Sequence, residues 1–324
     1  MKRTDNILER VESYIAQIDL PEEPRNLYSP ITYTMSSGGK RLRPMLTMLA
    51  CEIFSDDIDH ALPAAAAIEI FHNFTLLHDD IMDNAELRRS LPTVHSKWGQ
   101  NVAILSGDVM TILAYEQLAK VSPEYLPRVL SRFNTVAIQV CEGQQYDMDY
   151  ESAPKVSVVD YMRMIELKTS VLLGGATVIG AILGGANDKQ CTKMERFATE
   201  LGLAFQIQDD LLDSYGDEQL GKSIGGDILE GKQTFLMVSA MSHASDEQRD
   251  RLRAIYRPDN QLSNSDKISA VKALYDELNV VQITENQIKI KFEKALSILS
   301  SLDVEPSRLE AMEVYARSLM NRKK

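Results

Sequence analysis

Apolar residues recur three or four positions apart through most of the chain, the spacing that places them on one face of an α-helix. Near the N-terminus, Ile7, Val11, Ile15 and Ile18 predict an amphipathic helix over residues 5–18. Strand-like alternation is nearly absent and the breaks are short, so we predict a single all-α domain spanning residues 1–324. The other predicted helices cover residues 45–54, from Pro63 into the acidic segment near residue 79, 102–120, 124–149, 157–185, 189–215, 232–242, 246–256, 265–279 and 283–320.

Prolines and glycines mark the first connections between these helices. Pro21, Pro24 and Pro30 follow the first helix and predict a connecting segment. The sequence Ser-Ser-Gly-Gly-Lys-Arg-Leu-Arg-Pro at residues 36–44 then predicts a small-residue turn that carries three cations.

Composition and charge exclude several classes of protein. The chain has 324 residues, of which 44% are hydrophobic and 25% charged, as in an ordinary globular protein. A net charge of −12 argues against nucleic-acid binding, which needs a basic surface. Three scattered cysteines predict reduced thiols in a cytoplasmic protein. The N-terminal segment lacks the apolar core of a signal peptide, and the longest apolar run, 174–186, is too short for stable membrane insertion.

Two copies of one acidic motif stand out. Asp79, Asp80 and Asp83 end one predicted helix, and Asp209, Asp210 and Asp213 repeat the spacing later. Residues four apart share a helical face, so each copy presents a pair of carboxylates. One such motif alone is usually a solvated helix face, but the flanking residues 74–77 and 201–207 are too apolar for that. We therefore expect the two motifs to line an internal cavity and to bind Mg²⁺, which prefers oxygen ligands.

Clustered cations form a second candidate group. Arginine and lysine bind phosphate oxygens, and those beside the acidic motif or beside glycines are well suited to a diphosphate that the metal also binds. His72, about two turns before Asp79 on the same stripe, is the best functional candidate among the five histidines. The cations are Lys40, Arg41, Arg43, Arg88, Arg89, Lys168, Lys222 and Lys232.

Residues 216–223 match the P-loop pattern G-x-x-x-x-G-K-[ST] in letters only. A P-loop follows a buried β-strand and opens a helix, whereas this segment follows a helical aspartate motif. We therefore reject nucleotide binding here.

Taken in order, these motifs resemble the trans-isoprenyl diphosphate synthases, or polyprenyl synthetases, over nearly the whole chain. The resemblance includes Thr169 and Gln206 beside the motifs above, and Asp147 after Gly143-Gln144. It implies the all-α isoprenoid synthase fold, a helical bundle around a central active-site cavity, and a homodimer. The implied reaction is the Mg²⁺-dependent condensation of isopentenyl diphosphate with an allylic diphosphate, by ionisation, condensation and elimination.

The resemblance also implies a role for each site residue. Asp79, Asp83 and Asp209 are the implied Mg²⁺ ligands, with roughly three ions per active site. The implied supporting acids are Asp80, Asp147, Asp210 and Asp213. The residues implied to hold the allylic diphosphate are Arg88, Lys168, Lys222 and Lys232, and those implied to lie near its reacting carbon are Thr169 and Gln206. Those that hold isopentenyl diphosphate are Lys40, Arg43, His72 and Arg89.

Product length depends on the apolar turn before Asp79. In relatives the fifth residue before the first aspartate, here Phe74, often forms the floor of the product tunnel, with Thr75 next to it and Phe71 a turn away. These large residues predict a short product of fifteen to twenty carbons. A longer-chain synthase, a terpene cyclase of the same fold and a non-catalytic subunit of a heteromeric synthase are the alternatives. The six intact aspartates and the 38–43 loop favour the chain-elongating enzyme.

Overall fold

The computed structural model describes residues 2–216, 225–257 and 259–320, and most of these are helical. The helices in the first part of the chain are α1 (Lys2–Ala16), α2 (Arg25–Ser36), α3 (Leu42–Phe54), α4 (Leu62–Met82), α5 (Val94–Trp98), α6 (Gln100–Leu118), α7 (Leu126–Glu151) and α8 (Val158–Ile165). The later helices are α9 (Val171–Leu183), α10 (Asp188–Tyr215), α11 (Gly226–Glu230), α12 (Phe235–His243), α13 (Asp246–Ile255), α14 (Asn264–Glu277), α15 (Val280–Ser300) and α16 (Pro306–Met320). A short 3₁₀ turn (Asp59–Ala61) precedes α4. The all-α prediction is confirmed.

One predicted connection and one predicted helix were wrong in detail. Residues 25–36 form α2 although Pro30 lies inside it, and both Pro30 and Ile31 are buried. An internal proline removes a helical hydrogen bond, so this helix depends on burial of its apolar face rather than on local propensity. The predicted helix over 283–320 is two helices, because the chain turns after Ser300 and Pro306 begins α16.

The short helices α5 and α11, a two-stranded hairpin and a π-helical turn within the described residues were not predicted. Strands β1 (Leu87–Arg88) and β2 (Leu91–Pro92) pair antiparallel just after α4. Residues Glu166–Ser170, between α8 and α9, form one turn of π-helix. The π turn joins α8 and α9 into a helical segment, Val158–Leu183, that is long and apolar enough to cross a membrane. However, 83% of its most apolar stretch is buried inside the protein, as in a core helix of a soluble protein.

The chain divides into two compact units. Unit 1 contains Met1–Val136, Leu173–Arg196 and Ile298–Tyr315. Its core includes α4, whose residues from Ala64 to Phe71 are all buried, and α4 packs along α6 and against α3. The run of alanines lets neighbouring helices approach closely. The first aspartate motif lies at the C-terminal end of this buried helix.

Unit 2 contains Ala137–Leu172, Phe197–Ser297 and Ala316–Lys324. In its core, Tyr161 and Ile165 of α8 pack with Ile207 of α10 and Phe235 of α12. A second buried cluster contains Leu211, Ile228 and Tyr275. The second aspartate motif lies in the part of α10 that these clusters fix. That residues 1–324 form a single domain stays a prediction.

Candidate active site

The first aspartate motif ends α4 in unit 1. Asp79 and Asp80 lie in the last helical turn, and Asp83 is the residue that follows the helix, its backbone N–H still bonded to the Asp79 carbonyl at 2.9 Å. Asp80 is buried, whereas Asp79 and Asp83 are partly exposed. The predicted pair, Asp79 and Asp83, is therefore accessible to a ligand.

Arg88 from β1 binds this motif. Its Nε donates to Asp80 Oδ1 at 2.7 Å, and its Nη2 lies 3.4 Å from Asp79 Oδ2. Burial raises the pKa of Asp80, and the Arg88 charge opposes that shift. A cation predicted to bind diphosphate thus also neutralises the acidic motif beside it.

The hairpin directs the neighbouring side chains of Arg88 and Arg89 to different partners. Arg89 and Ser90 both have positive φ angles, 53° and 63°, as a two-residue type I′ turn requires. At this turn the Arg89 guanidinium donates to the Gly38 carbonyl. Gly39 has a φ of 138°, which a residue with a side chain adopts only with strain, and a Cβ there would lie 2.8 Å from Arg89 Nη1 and displace the guanidinium.

Four arginines of unit 1 lie near enough to His72 for their charges to act on it, and we call Arg41, Arg43, Arg88 and Arg89 the arginine cluster. Burial lowers the pKa of His72 well below its usual value, and the charges of all four arginines lower it further. Burial also lowers the pKa of Arg43 to about 10, although the Glu69 carboxylate opposes this. His72 is therefore neutral at physiological pH, and the surrounding positive charge favours an anion.

Within the arginine cluster, Arg41 forms a buried ion pair with Glu69. Arg41 Nη1 donates to Glu69 Oε1 at 2.8 Å, and Arg41 Nη2 donates to the Met35 carbonyl, also at 2.8 Å. Asn73 donates to the Glu69 backbone carbonyl at 2.8 Å. We did not predict a role for Glu69. A lone acid inside the apolar run before the aspartate motif was the signal that could have identified it.

In unit 2, the π-helical turn Glu166–Ser170 carries Lys168 and Thr169. Lys168 Nζ donates to Asp147 on α7 at 2.5 Å. A Cβ on the neighbouring Gly143 of α7 would overlap the Lys168 backbone. The predicted residues Lys168 and Asp147 are thus brought together by close packing of α7 on the π turn, a geometry often found at functional sites.

The second aspartate motif belongs to a hydrogen-bonded chain in the same unit. Thr169 Oγ1 donates to Gln206 Oε1 at 3.1 Å, and Gln206 Nε2 donates to Asp210 Oδ1 at 3.1 Å. Asp210 Oδ2 accepts from the Phe235 backbone N–H at 2.8 Å and from the Tyr161 hydroxyl. Burial raises the pKa of Asp210 to about 7. Tyr161 was missed, because nothing in its local sequence shows that it binds an acid 49 residues later.

The other predicted residues of unit 2 have more local partners. Asp213 Oδ2 accepts from the Asp227 backbone N–H at 3.0 Å and so fixes the start of α11. Lys232 Nζ lies 3.1 Å from Glu230, and Asp209 is partly exposed. Lys222, with most of the P-loop-like segment, lies outside the described residues. In unit 1, Lys40 is exposed on the 38–40 loop.

Oxygen donors dominate both acidic motifs. Within the described residues, no three His, Cys, Asp or Glu side chains lie close enough to hold a metal ion by themselves. Mg²⁺ commonly uses only one or two carboxylates and completes its shell with phosphate oxygens and water. The partly exposed Asp79, Asp83 and Asp209 fit such an ion by their chemistry.

The predicted product-length residues lie one to two helical turns before the motif. The ring centroids of Phe71 and Phe74 are 5.4 Å apart, and Phe71 also contacts Phe133 of α7 at 5.2 Å. Thr75 Oγ1 donates to the His72 carbonyl at 2.8 Å. Phe71 is buried, and Phe74 and Thr75 are partly exposed.

Comparison with known proteins is consistent with this geometry. The polyprenyl synthetase family model matches residues 24–277. The geranylgeranyl diphosphate synthase of Methanosarcina mazei is 43% identical over 247 residues, 74% of this chain and 76% of that protein. The geranylgeranyl pyrophosphate synthase of Geoglobus acetivorans is 35% identical over 314 residues, 96% of this chain and 95% of that protein. The crystal structure of geranylgeranyl pyrophosphate synthetase from Pyrococcus horikoshii is 31% identical and gives a TM-score of 0.92, covering 99% of this chain and 98% of that one.

The chain therefore belongs to the polyprenyl synthetase family and has its all-helical isoprenoid synthase fold. It is a prenyltransferase of the short-chain type.

Proposed function

We propose that the protein condenses isopentenyl diphosphate with an allylic diphosphate to give an all-trans prenyl diphosphate. The observation that carries this proposal is the arginine cluster around neutral His72, beside the aspartate motif that ends α4. The Glu69 and Asp80 carboxylates already pair with Arg41 and Arg88, and the positive charge that remains on Arg43 and Arg89 beside the partly exposed imidazole favours a bound anion. A diphosphate supplies that anion, and its affinity for arginine forks supplies the specificity.

The residues divide between the two substrates. Arg43, Arg89, Lys40 and neutral His72 hold isopentenyl diphosphate, with His72 as a hydrogen-bond donor. The residues proposed to hold the allylic diphosphate are Arg88, Lys168, Lys232 and Lys222. Thr169 and Gln206, already hydrogen-bonded to each other, orient the reacting allylic carbon.

Mg²⁺, with about three ions per active site, would neutralise the charge of the departing diphosphate. The side chains that would hold these metal ions are Asp79, Asp83 and Asp209. Asp80, Asp147, Asp210 and Asp213 would support these ligands. The cations of the chain stabilise the same developing negative charge. An allylic carbocation reacts with water, so apolar walls must exclude solvent while the double bond of isopentenyl diphosphate attacks. The released diphosphate then accepts the proton.

We propose geranylgeranyl diphosphate, with twenty carbons, as the main product. The relatives in Methanosarcina mazei and Geoglobus acetivorans are named geranylgeranyl diphosphate synthase and geranylgeranyl pyrophosphate synthase, and these names support this choice over the fifteen-carbon farnesyl product. Phe74, with Phe71 and Thr75, would form the floor that stops elongation.

We further propose that the enzyme is a cytoplasmic homodimer. Four large apolar side chains are exposed on one stripe of α6, and 39–60% of each is accessible to solvent. A stripe of this kind on a helix is typical of an interface with a second copy. The residues are Ile104, Leu105, Ile112 and Tyr115.

The function is tested by incubating purified protein with Mg²⁺, isopentenyl diphosphate and dimethylallyl, geranyl or farnesyl diphosphate, followed by chromatography of the products. We expect elongated prenyl diphosphates, and turnover in Asp79→Ala and Asp209→Ala lower by roughly a hundredfold or more. Circular dichroism checks that both variants are folded, and Asp250→Ala, at an exposed position on α13, is the matched control. Cyclic hydrocarbons as products would indicate a terpene cyclase instead. Near-normal turnover in either variant would refute the metal assignment.

A further inference from the structure

His78 lies one helical turn after Phe74 on α4 and contacts its ring. The two ring centroids are 4.7 Å apart, and the planes meet at 65°, an edge-to-face contact. His78 Nε2 lies 3.3 Å from the Ile104 carbonyl of α6. Because a carbonyl oxygen only accepts, Nε2 carries the hydrogen in this contact. The imidazole is therefore held at one end by α6 and contacts Phe74 along its side.

Gly107 of α6 makes room for this imidazole. A Cβ at Gly107 would lie 2.6 Å from His78 Cδ2, closer than atoms can pack. The ring thus fills a gap that exists because residue 107 has no side chain. His78 cannot move further toward α6, and this side of the Phe74 ring is closed.

Phe71 bounds the Phe74 ring as well. Its centroid lies 5.4 Å from that of Phe74, and Phe71 is itself held by Phe133 at 5.2 Å. Phe74 is thus in contact with two rings, one supported by α7 and the other by α6. Side chains packed in this way keep one rotamer, since alternative rotamers would overlap their neighbours.

We infer that His78 is a positioning residue for product length: packed into the gap at Gly107, it holds the Phe74 ring in the orientation that stops chain growth. The inference rests on the proposed role of Phe74 as the floor. Without the imidazole, Phe74 can rotate into the vacated space beside α6. The floor then recedes, and the enzyme adds further isoprene units while Phe74 is still present.

The test measures the distribution of product chain lengths, with kcat and KM for the allylic substrate recorded alongside. His78→Asn removes the ring but keeps a hydrogen-bond donor, and His78→Ala removes both. We expect both to shift the main product by at least one five-carbon unit, with kcat/KM within about threefold of wild type. His78→Phe keeps a ring in the gap and loses the donor, so the wild-type product should be retained. His243→Ala, an exposed histidine on α12, is the matched control and should leave products unchanged.

Two further variants separate this inference from the proposal on which it rests. Phe74→Ala should lengthen the product, and Phe74→Ala combined with His78→Ala should match Phe74→Ala alone, because His78 acts only through that ring. Unchanged products in Phe74→Ala would refute the floor itself, and the role of His78 with it. Lengthening in Phe74→Ala together with wild-type products in His78→Ala and His78→Asn would refute the role of His78 alone. Additive lengthening in the double variant, or a longer product in His78→Phe, would also refute it.

Discussion

Glu69 and Arg41 show how a single buried pair supports a charged site. Their side chains are only 5% and 7% exposed, and Nη1 and Oε1 are 2.8 Å apart. Arg41 has a second acidic neighbour, Glu12, but Glu12 is 54% exposed and 3.8 Å away. A buried guanidinium that loses its carboxylate is left with an uncompensated charge in the protein interior. When an exposed carboxylate is removed instead, water solvates the charge that it had paired with, so little stability is lost.

Glu69→Gln should therefore destabilise the protein by about 3–5 kcal/mol, and Glu12→Gln by less than about 1 kcal/mol. Urea unfolding followed by circular dichroism measures both. The two substitutions remove the same charge from the surroundings of one arginine, so Glu12→Gln is a matched control for net charge. Equal losses of stability would contradict a special role for the buried pair.

Asp210 predicts a dependence of stability on pH. Burial, and next the Asp227 charge, raise its pKa from the usual 3.8 to about 7 in the folded protein. Between these pH values the folded protein keeps a proton that the unfolded chain has released. The contribution of Asp210 to stability is therefore full below pH 3.8 and is lost as the pH rises to about 7.

Asp210→Asn removes this titration. EDTA keeps divalent metal ions off the site. We then expect the free energy of unfolding of wild type to fall relative to that of Asp210→Asn as the pH rises from 3.8 to about 7, and the difference between the two proteins to stay constant above pH 7. Chemical denaturation at a series of pH values measures the difference. Parallel stability curves for the two proteins would contradict the raised pKa.

At the scale of the element, the π turn Glu166–Ser170 decides where Lys168 and Thr169 lie. A π turn contains one residue more than the regular helical repeat, so it rotates the residues before it relative to those after it. Gly143 on α7 packs against the backbone of this turn, and a Cβ there would overlap Lys168. The position of the Lys168–Asp147 pair thus depends on a residue without a side chain.

Gly143→Ala should lower kcat at least about tenfold, because α7 and the π turn must separate. Intrinsic helix propensity alone would make alanine more favourable than glycine by about 1 kcal/mol. A loss of activity would therefore reflect crowding at Lys168. Glu142→Ala, the exposed neighbouring position, is the control, and steady-state kinetics compares the two variants. Wild-type activity in Gly143→Ala would show that the close approach is unimportant.

At the scale of the whole molecule, the apolar stripe of α6 predicts the oligomeric state. Leu105 and Ile112 are 58% and 60% exposed, and a charge at these positions cannot be buried against a second copy without a large penalty. We expect wild type to be a dimer and the double variant Leu105→Lys, Ile112→Lys to be a monomer by analytical ultracentrifugation. Ile290→Lys on α15 is equally exposed, at 57%, and should remain dimeric. A dimeric double variant would place the interface elsewhere.

Much of the fold followed from local pattern. The helices α1, α4, α6, α7 and α10 were predicted within a few residues of their ends because 3.6-residue periodicity is a property of neighbouring positions. The types of site residue followed in the same way, from the spacing of the aspartates and the cations that follow them. The helix α2 could not be predicted, since burial of Pro30 and Ile31 outweighs the local preference for a break.

The sequence by itself determined the helical class, the two aspartate motifs and the cations suited to diphosphate. Tertiary structure alone decided which groups pair: Arg88 with Asp80, Arg41 with Glu69, Tyr161 with Asp210, and His78 with the gap at Gly107. The reason is physical. Spacing along one helix sets which side chains share a face, but burial and hydrogen bonding between different elements set their charge states and orientations.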